Sequence, residues 1–135
     1  MAGTKAPERP LSPHLLLYRW PLPMMMSLLH RMTGVGLYFG TLLMAWWLIA
    51  AASGPNAYAI VGAVTNSIFG RLVLFGYTWA LIHHMLGGIR HLIWDTGRGF
   101  EPNEREWLSL ATMIGSIGFT VLLWVVGYLY IGGAR

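Results

Sequence analysis

Three long stretches of this chain carry no formal charge, and they decide what it can fold into. Residues 32–70, 72–89 and 107–134 contain no Asp, Glu, Lys or Arg. A helix that crosses a bilayer needs about 20 mainly apolar residues. Within the first stretch the segment SGPN at 53–56 reads as a turn, so the spacing predicts three membrane-spanning helices, over 24–52, 64–94 and 107–130. With 56% hydrophobic residues, 10% charged residues and a mean hydropathy of +0.55, the 135 residues do not have the composition of an ordinary soluble domain. The expected fold is an all-α integral membrane protein forming one membrane domain over 1–135.

Residues 1–23, MAGTKAPERPLSPHLLLYRWPLP, hold five prolines together with Lys5, Arg9 and Arg19. Such a segment cannot sustain one helix and predicts an extended arm along the membrane surface. It lacks the apolar centre of a signal peptide, so the first span is expected to be retained. Three spans put the N-terminus and the second interhelical loop on one side, with Lys5, Arg9, Arg19, Arg31, Arg90, Arg98 and Arg105. Only Arg71, near its edge, and Arg135 fall to the other side, and the positive-inside rule then places the N-terminus in the cytoplasm or, for a mitochondrial protein, the matrix. Asp95, Glu101, Glu104 and Glu106 share that inner side, where they are suited to a basic soluble partner. The net charge of +4 is spread beside the spans and reads as a topology signal, not as a nucleic-acid surface. Without cysteine there is no disulfide, no covalent c-type haem and no cysteine-ligated iron–sulfur cluster. A redox metal in this chain must use histidine or methionine.

Two polar clusters interrupt the apolar pattern. In HHMLGGIRH, His84, Gly87, Gly88 and His91 fall on one helix face at about 3.6 residues per turn. An imidazole above glycines suits a flat group such as a b-type haem, which takes nitrogen on its iron and needs room beside the backbone. His83 points about 100° away. A plainer role for His84 is a hydrogen bond to a neighbouring helix or carbonyl, and spacing alone leaves both readings open. One straight helix supplies a single axial ligand; His30 lies near the boundary, and a second ligand can come from another polypeptide. In SLLHRMTG, Ser27, Arg31 and Gly34 share a face of the first span. Arg31 suits a haem propionate or a quinone carbonyl gaining negative charge, while plain snorkelling toward headgroups is the competing role. Gly36 and Gly40 form a GxxxG expected to pack helices. Trp46, Trp47, Trp94 and Trp107 are expected at span ends, and Met24, Met25 and Met26 as apolar lining.

The segments RPLSPHLLLYRWPLPMMMSLLHRMTG and HMLGGIRHLIWDTG, in this order and at these places relative to three spans, resemble the cytochrome b membrane-anchor subunits of succinate dehydrogenase, respiratory complex II. The resemblance covers most of the chain. It implies a non-catalytic role toward succinate, in a complex with a second three-span anchor, an iron–sulfur subunit and a flavoprotein subunit. It further implies that His84 is an axial ligand of a haem b shared with the partner anchor. His30, Arg31 and His91 would lie around the haem propionates, and Ser27 and Arg31 would line the ubiquinone site. The anchor of a fumarate reductase and a purely structural anchor are the alternative readings.

Overall fold

The computed structural model describes residues 12, 17 and 19–132; most of the expected surface arm at 1–23, and Arg135, lie outside the described residues. Four helices follow one another: α1 (Leu22–Ser53), α2 (Pro55–Asn66), α3 (Ile68–Asp95) and α4 (Pro102–Ile131). Among the described residues there is no strand. α1, α3 and α4 up to Tyr130 are long and apolar enough to cross a membrane.

Each boundary has a local cause. Pro21 is extended and caps α1, with proline again in the first turn, where a missing N–H costs nothing. α1 stops at Gly54, whose φ of 111° is open to glycine, and Pro55 starts α2 at once. Sequence patterning ran the second span from residue 64; the structure instead gives 64–66 to α2 and starts α3 at Ile68. Ser67 makes the break: its backbone is extended and its Oγ accepts from the N–H of Gly70 at 3.0 Å, an N-cap that ends one helix and begins the next. Gly70 is required there, because a Cβ would collide with the Val64 carbonyl oxygen. α4 likewise begins at Pro102 rather than 107. Glu101 and Glu104 form a reciprocal capping box, so the polar segment EPNERE is the first turn of a span and not a loop.

Burial is inverted relative to a soluble protein. The buried apolar side chains are Met26, Ala50 and Val61, whereas Thr33, His83, Arg90, Ser109, Thr112, Ser116 and Thr120 are buried and polar. Large apolar side chains cover the outside, as lipid-facing helices require. Ser109, Thr112, Ser116 and Thr120 make one stripe along α4. Thr112, Ser116 and Thr120 return their hydroxyls to carbonyls of their own helix, which lets α3 approach closely. Antiparallel α3 and α4 are then joined by polar pairs along their length: Arg90 with Ser109 at 3.4 Å, His83 with Ser116 at 3.1 Å, Trp124 with Thr78 at 3.4 Å and Arg71 with Tyr128 at 3.2 Å.

α1 meets α3 through glycines. The Tyr77 ring occupies the place a Cβ on Gly40 would take, while Gly36 faces open space. Only one glycine of the expected GxxxG therefore packs within the chain. The start of α1, the end of α3 and the start of α4 share one end of the bundle.

Candidate functional site

At that end the imidazoles of His30 on α1 and His84 on α3 stack, with ring centroids 4.0 Å apart and planes 14° from parallel. Glycine makes the stack possible from both sides. A Cβ on Gly34 would come within 3.0 Å of His84 Cε1, and a Cβ on Gly87 would run into the His30 ring. Each helix thus offers one histidine and one glycine, with His30 and Gly34 four apart and His84 and Gly87 three apart, both one-face spacings.

Hydrogen bonding selects the tautomer of His84. Its Nδ1 lies 3.1 Å from the carbonyl oxygen of His30. A carbonyl only accepts, so Nδ1 carries the proton and Nε2 keeps its lone pair. Thr33 Oγ1, 3.4 Å from the same nitrogen, gives its own proton to the Leu29 or His30 carbonyl and is a second acceptor. An imidazole that ligates a metal typically donates its other N–H to a carbonyl or carboxylate, and His84 is held in that form. The stacked His30 ring covers a face of His84, not the in-plane lone pair on Nε2. Donor chemistry at His84 therefore fits a nitrogen ligand for a metal such as haem iron. Among the described residues, His, Asp and Glu nowhere converge in a group of three or more that would hold a free metal ion.

The glycine face differs from its sequence expectation. Gly87, expected as part of an opening for a flat ligand, is filled by His30; Gly88 has nothing within 4 Å of its Cβ position. The reason is tertiary: α1 crosses α3 at this level and brings a ring with it. His91 joins the cluster edge-on, 5.3 Å from His30 and 5.2 Å from Trp94. Trp94 in turn donates its indole N–H to the Gly99 carbonyl at 3.0 Å, and its ring lies under the Arg90 guanidinium at 5.1 Å. His84, His30, His91 and Trp94 thus form a continuous run of rings from within the span to the loop after α3.

Ser27 is half-buried and Arg31 exposed. Neither side chain has a hydrogen-bond partner among the described residues, and no hydrogen bond or cation–ring contact there joins Arg31 to the three histidines. His83 turns the other way from His84. It is 1% exposed, and its Nδ1 meets Ser116 Oγ at 3.1 Å. Ser116 spends its proton on the Met113 carbonyl, so His83 donates and its Nε2 is left buried without a partner. Thr33 does not stand out in the sequence, and Gly34 was expected on the Arg31 face. Adjacency in HRMTG was the available signal, but only the crossing with α3 gives these residues their role.

Residues 5–127 match the family described as succinate dehydrogenase/fumarate reductase transmembrane subunit. The chain is 41% identical over 130 residues to the succinate dehydrogenase cytochrome b556 subunit of Paracoccus denitrificans, covering 96% of this chain and 100% of that one. It is 39% identical over 118 residues to the protein of the same name from Rickettsia prowazekii, covering 87% and 92%. Against the mitochondrial succinate dehydrogenase cytochrome b560 subunit of Sus scrofa the identity is 42% over 123 residues, covering 85% and 72%. With three spans, an inverted core and a histidine pair at one end of the bundle, the chain belongs to the succinate dehydrogenase/fumarate reductase transmembrane subunit family.

Proposed function

We propose that this chain is the membrane-anchor cytochrome b subunit of a succinate:ubiquinone oxidoreductase of a bacterial inner or mitochondrial inner membrane. In this reading it assembles with a second anchor, an iron–sulfur subunit and a flavoprotein subunit, and its N-terminus faces the cytoplasm or matrix. Succinate oxidation belongs to the soluble subunits, and the share of this chain is to help pass electrons to quinone. The observation that carries the reading is the His84 Nδ1 bond to the His30 carbonyl, which leaves Nε2 as the donor for iron. Haem b, when bound, would supply a one-electron redox centre, held by His84 of this chain together with a ligand from the partner anchor.

The remaining roles follow from what each side chain presents. Gly34 admits the His84 ring and His30 buttresses its face. The guanidinium of Arg31 is exposed and has no hydrogen-bond partner among the described residues, which leaves its donors free for a carboxylate or a carbonyl oxygen. Such a permanent cation stabilises negative charge growing on a quinone oxygen more strongly in a low-dielectric pocket than in water. Ser27, one turn away, adds a hydroxyl donor to the same carbonyl. His30, Arg31 and His91 are the groups for the haem propionates.

Affinity purification of the full chain in mild detergent tests the reading, with mass identification of its partners and a reduced-minus-oxidised spectrum. Co-purified dehydrogenase subunits and b-type bands are expected; a complex without haem would leave the chain a structural anchor.

A further inference from the structure

We propose that the groove at the opposite end of the bundle from the histidines is a binding site for an anionic phospholipid, with phosphate on Arg71 and an acyl chain between α3 and α4. The groove encloses about 560 Å³, within the range of small-molecule sites, roughly 300 to 1,000 Å³. Its mouth is polar, made by Asn66, Arg71 and Tyr128; its trough is lined by Leu74, Leu123 and Trp124.

Depth matches a lipid. Arg71 and Arg90 are nineteen residues apart on α3, about 28 Å at a rise of roughly 1.5 Å per residue, close to the roughly 30 Å of hydrocarbon in a bilayer. If Arg90 marks one boundary, Arg71 marks the other, at headgroup level.

Charge matches as well. Arg71 donates from Nη1 to the neutral hydroxyl of Tyr128. Among the described residues it is the one charged side chain at this end, and the acids Asp95, Glu101, Glu104 and Glu106 all lie at the other end. A phosphate ester supplies the missing anion, and guanidinium binds it with charge-assisted hydrogen bonds. Beneath the cation the trough is fixed and open. Trp124 is held by Thr78 at 3.4 Å and by an edge contact to Phe75 at 5.3 Å. Gly127 in the wall contributes no side chain, and a Cβ there would meet nothing within 4 Å. A neutral quinone head suits the trough but leaves the cation unmatched. A partner helix would need to bring an acid to this depth.

The test uses the intact complex that carries this chain, reconstituted in nanodiscs with equal phosphatidylglycerol and phosphatidylcholine and then released into native mass spectrometry. The parental complex is expected to retain phosphatidylglycerol over phosphatidylcholine by about tenfold at one site per chain, because the phosphate of phosphatidylcholine is already neutralised by its own choline ammonium whereas that of phosphatidylglycerol has Arg71 as its counter-charge. Arg71→Gln should abolish that preference, Arg71→Lys should keep most of it, and Gly127→Leu should expel the lipid by filling the trough. A photoreactive residue in place of Leu123 should crosslink to phospholipid. Equal retention by the parental and Arg71→Gln complexes overturns the proposal, and so does a crosslink from position 123 to another polypeptide.

Discussion

His30 and His84 hold each other in place: their rings stack at 4.0 Å, and the carbonyl of His30 also takes the Nδ1 proton of His84. One residue of α1 thereby determines both the orientation and the tautomer of a side chain on α3. The two histidines of the HH pair are separated just as sharply, since His83 is committed to Ser116 on α4.

His84→Ala should abolish or strongly disturb the b-type spectrum of the purified complex, whereas His83→Ala should leave its bands in place. His83→Ala should instead lower thermal stability, by about 1 to 3 kcal/mol for a lost buried contact. A spectrum that survives His84→Ala and disappears with His83→Ala reverses the assignment.

Gly34 and Gly36 form a matched pair of sites for testing the crossing. A Cβ on Gly34 meets the His84 ring at 3.0 Å, and one on Gly36 meets nothing within 4 Å. Gly34→Val should displace His84, at a cost of about 1 to 3 kcal/mol for overpacking, and reduce haem per complex. Gly36→Val is expected to load normally within this chain. Haem-to-protein ratios of the two assembled complexes check the contrast, and equal ratios would mean that the position of His84 does not depend on Gly34.

These glycines also mark how far the sequence could be read. Hydropathy made three spans legible because lipid exposure leaves a long apolar record, and the 3.6-residue period placed His84 on a face different from that of His83. Ser67 was invisible in the same record: it sits within an uncharged run, and only its cap on Gly70 breaks the helix there. The capping box of Glu101 and Glu104 looked like a polar loop because its charges outweighed its spacing. Gly87 was misread for a different reason. Its neighbour, His30, comes from a distant helix, and no local pattern reports what crosses a glycine.

Ser27→Ala and Arg31→Leu should each slow succinate-to-quinone electron transfer. Losing a charge-assisted donor costs about 1.5 to 3 kcal/mol, or roughly ten- to a hundredfold in the affected step. Arg31→Leu should have the larger effect. Dye reduction at the soluble subunits is expected to remain near the parental rate, and paired assays on assembled complex separate the two. Parental quinone reduction in both variants would return Arg31 to a headgroup-reaching role.

Reporter fusions at Arg135 and in the loop after Asp95 should report opposite sides of the membrane, with the loop inside, because three spans separate the N-terminal side from the C-terminus. Signals from the same side would contradict a three-span topology.

The seating of each ring on the other helix's glycine also sets an order of events during biogenesis. His30 leaves the ribosome 54 residues before His84, a lag of roughly 3 to 11 s at about 5 to 20 residues per second. Throughout that interval α1 has its glycine notch and its imidazole, but nothing to dock against either. The stacked pair therefore comes into being only with the arrival of α3, and a nascent chain arrested before residue 84 carries the α1 half of the cluster without His84.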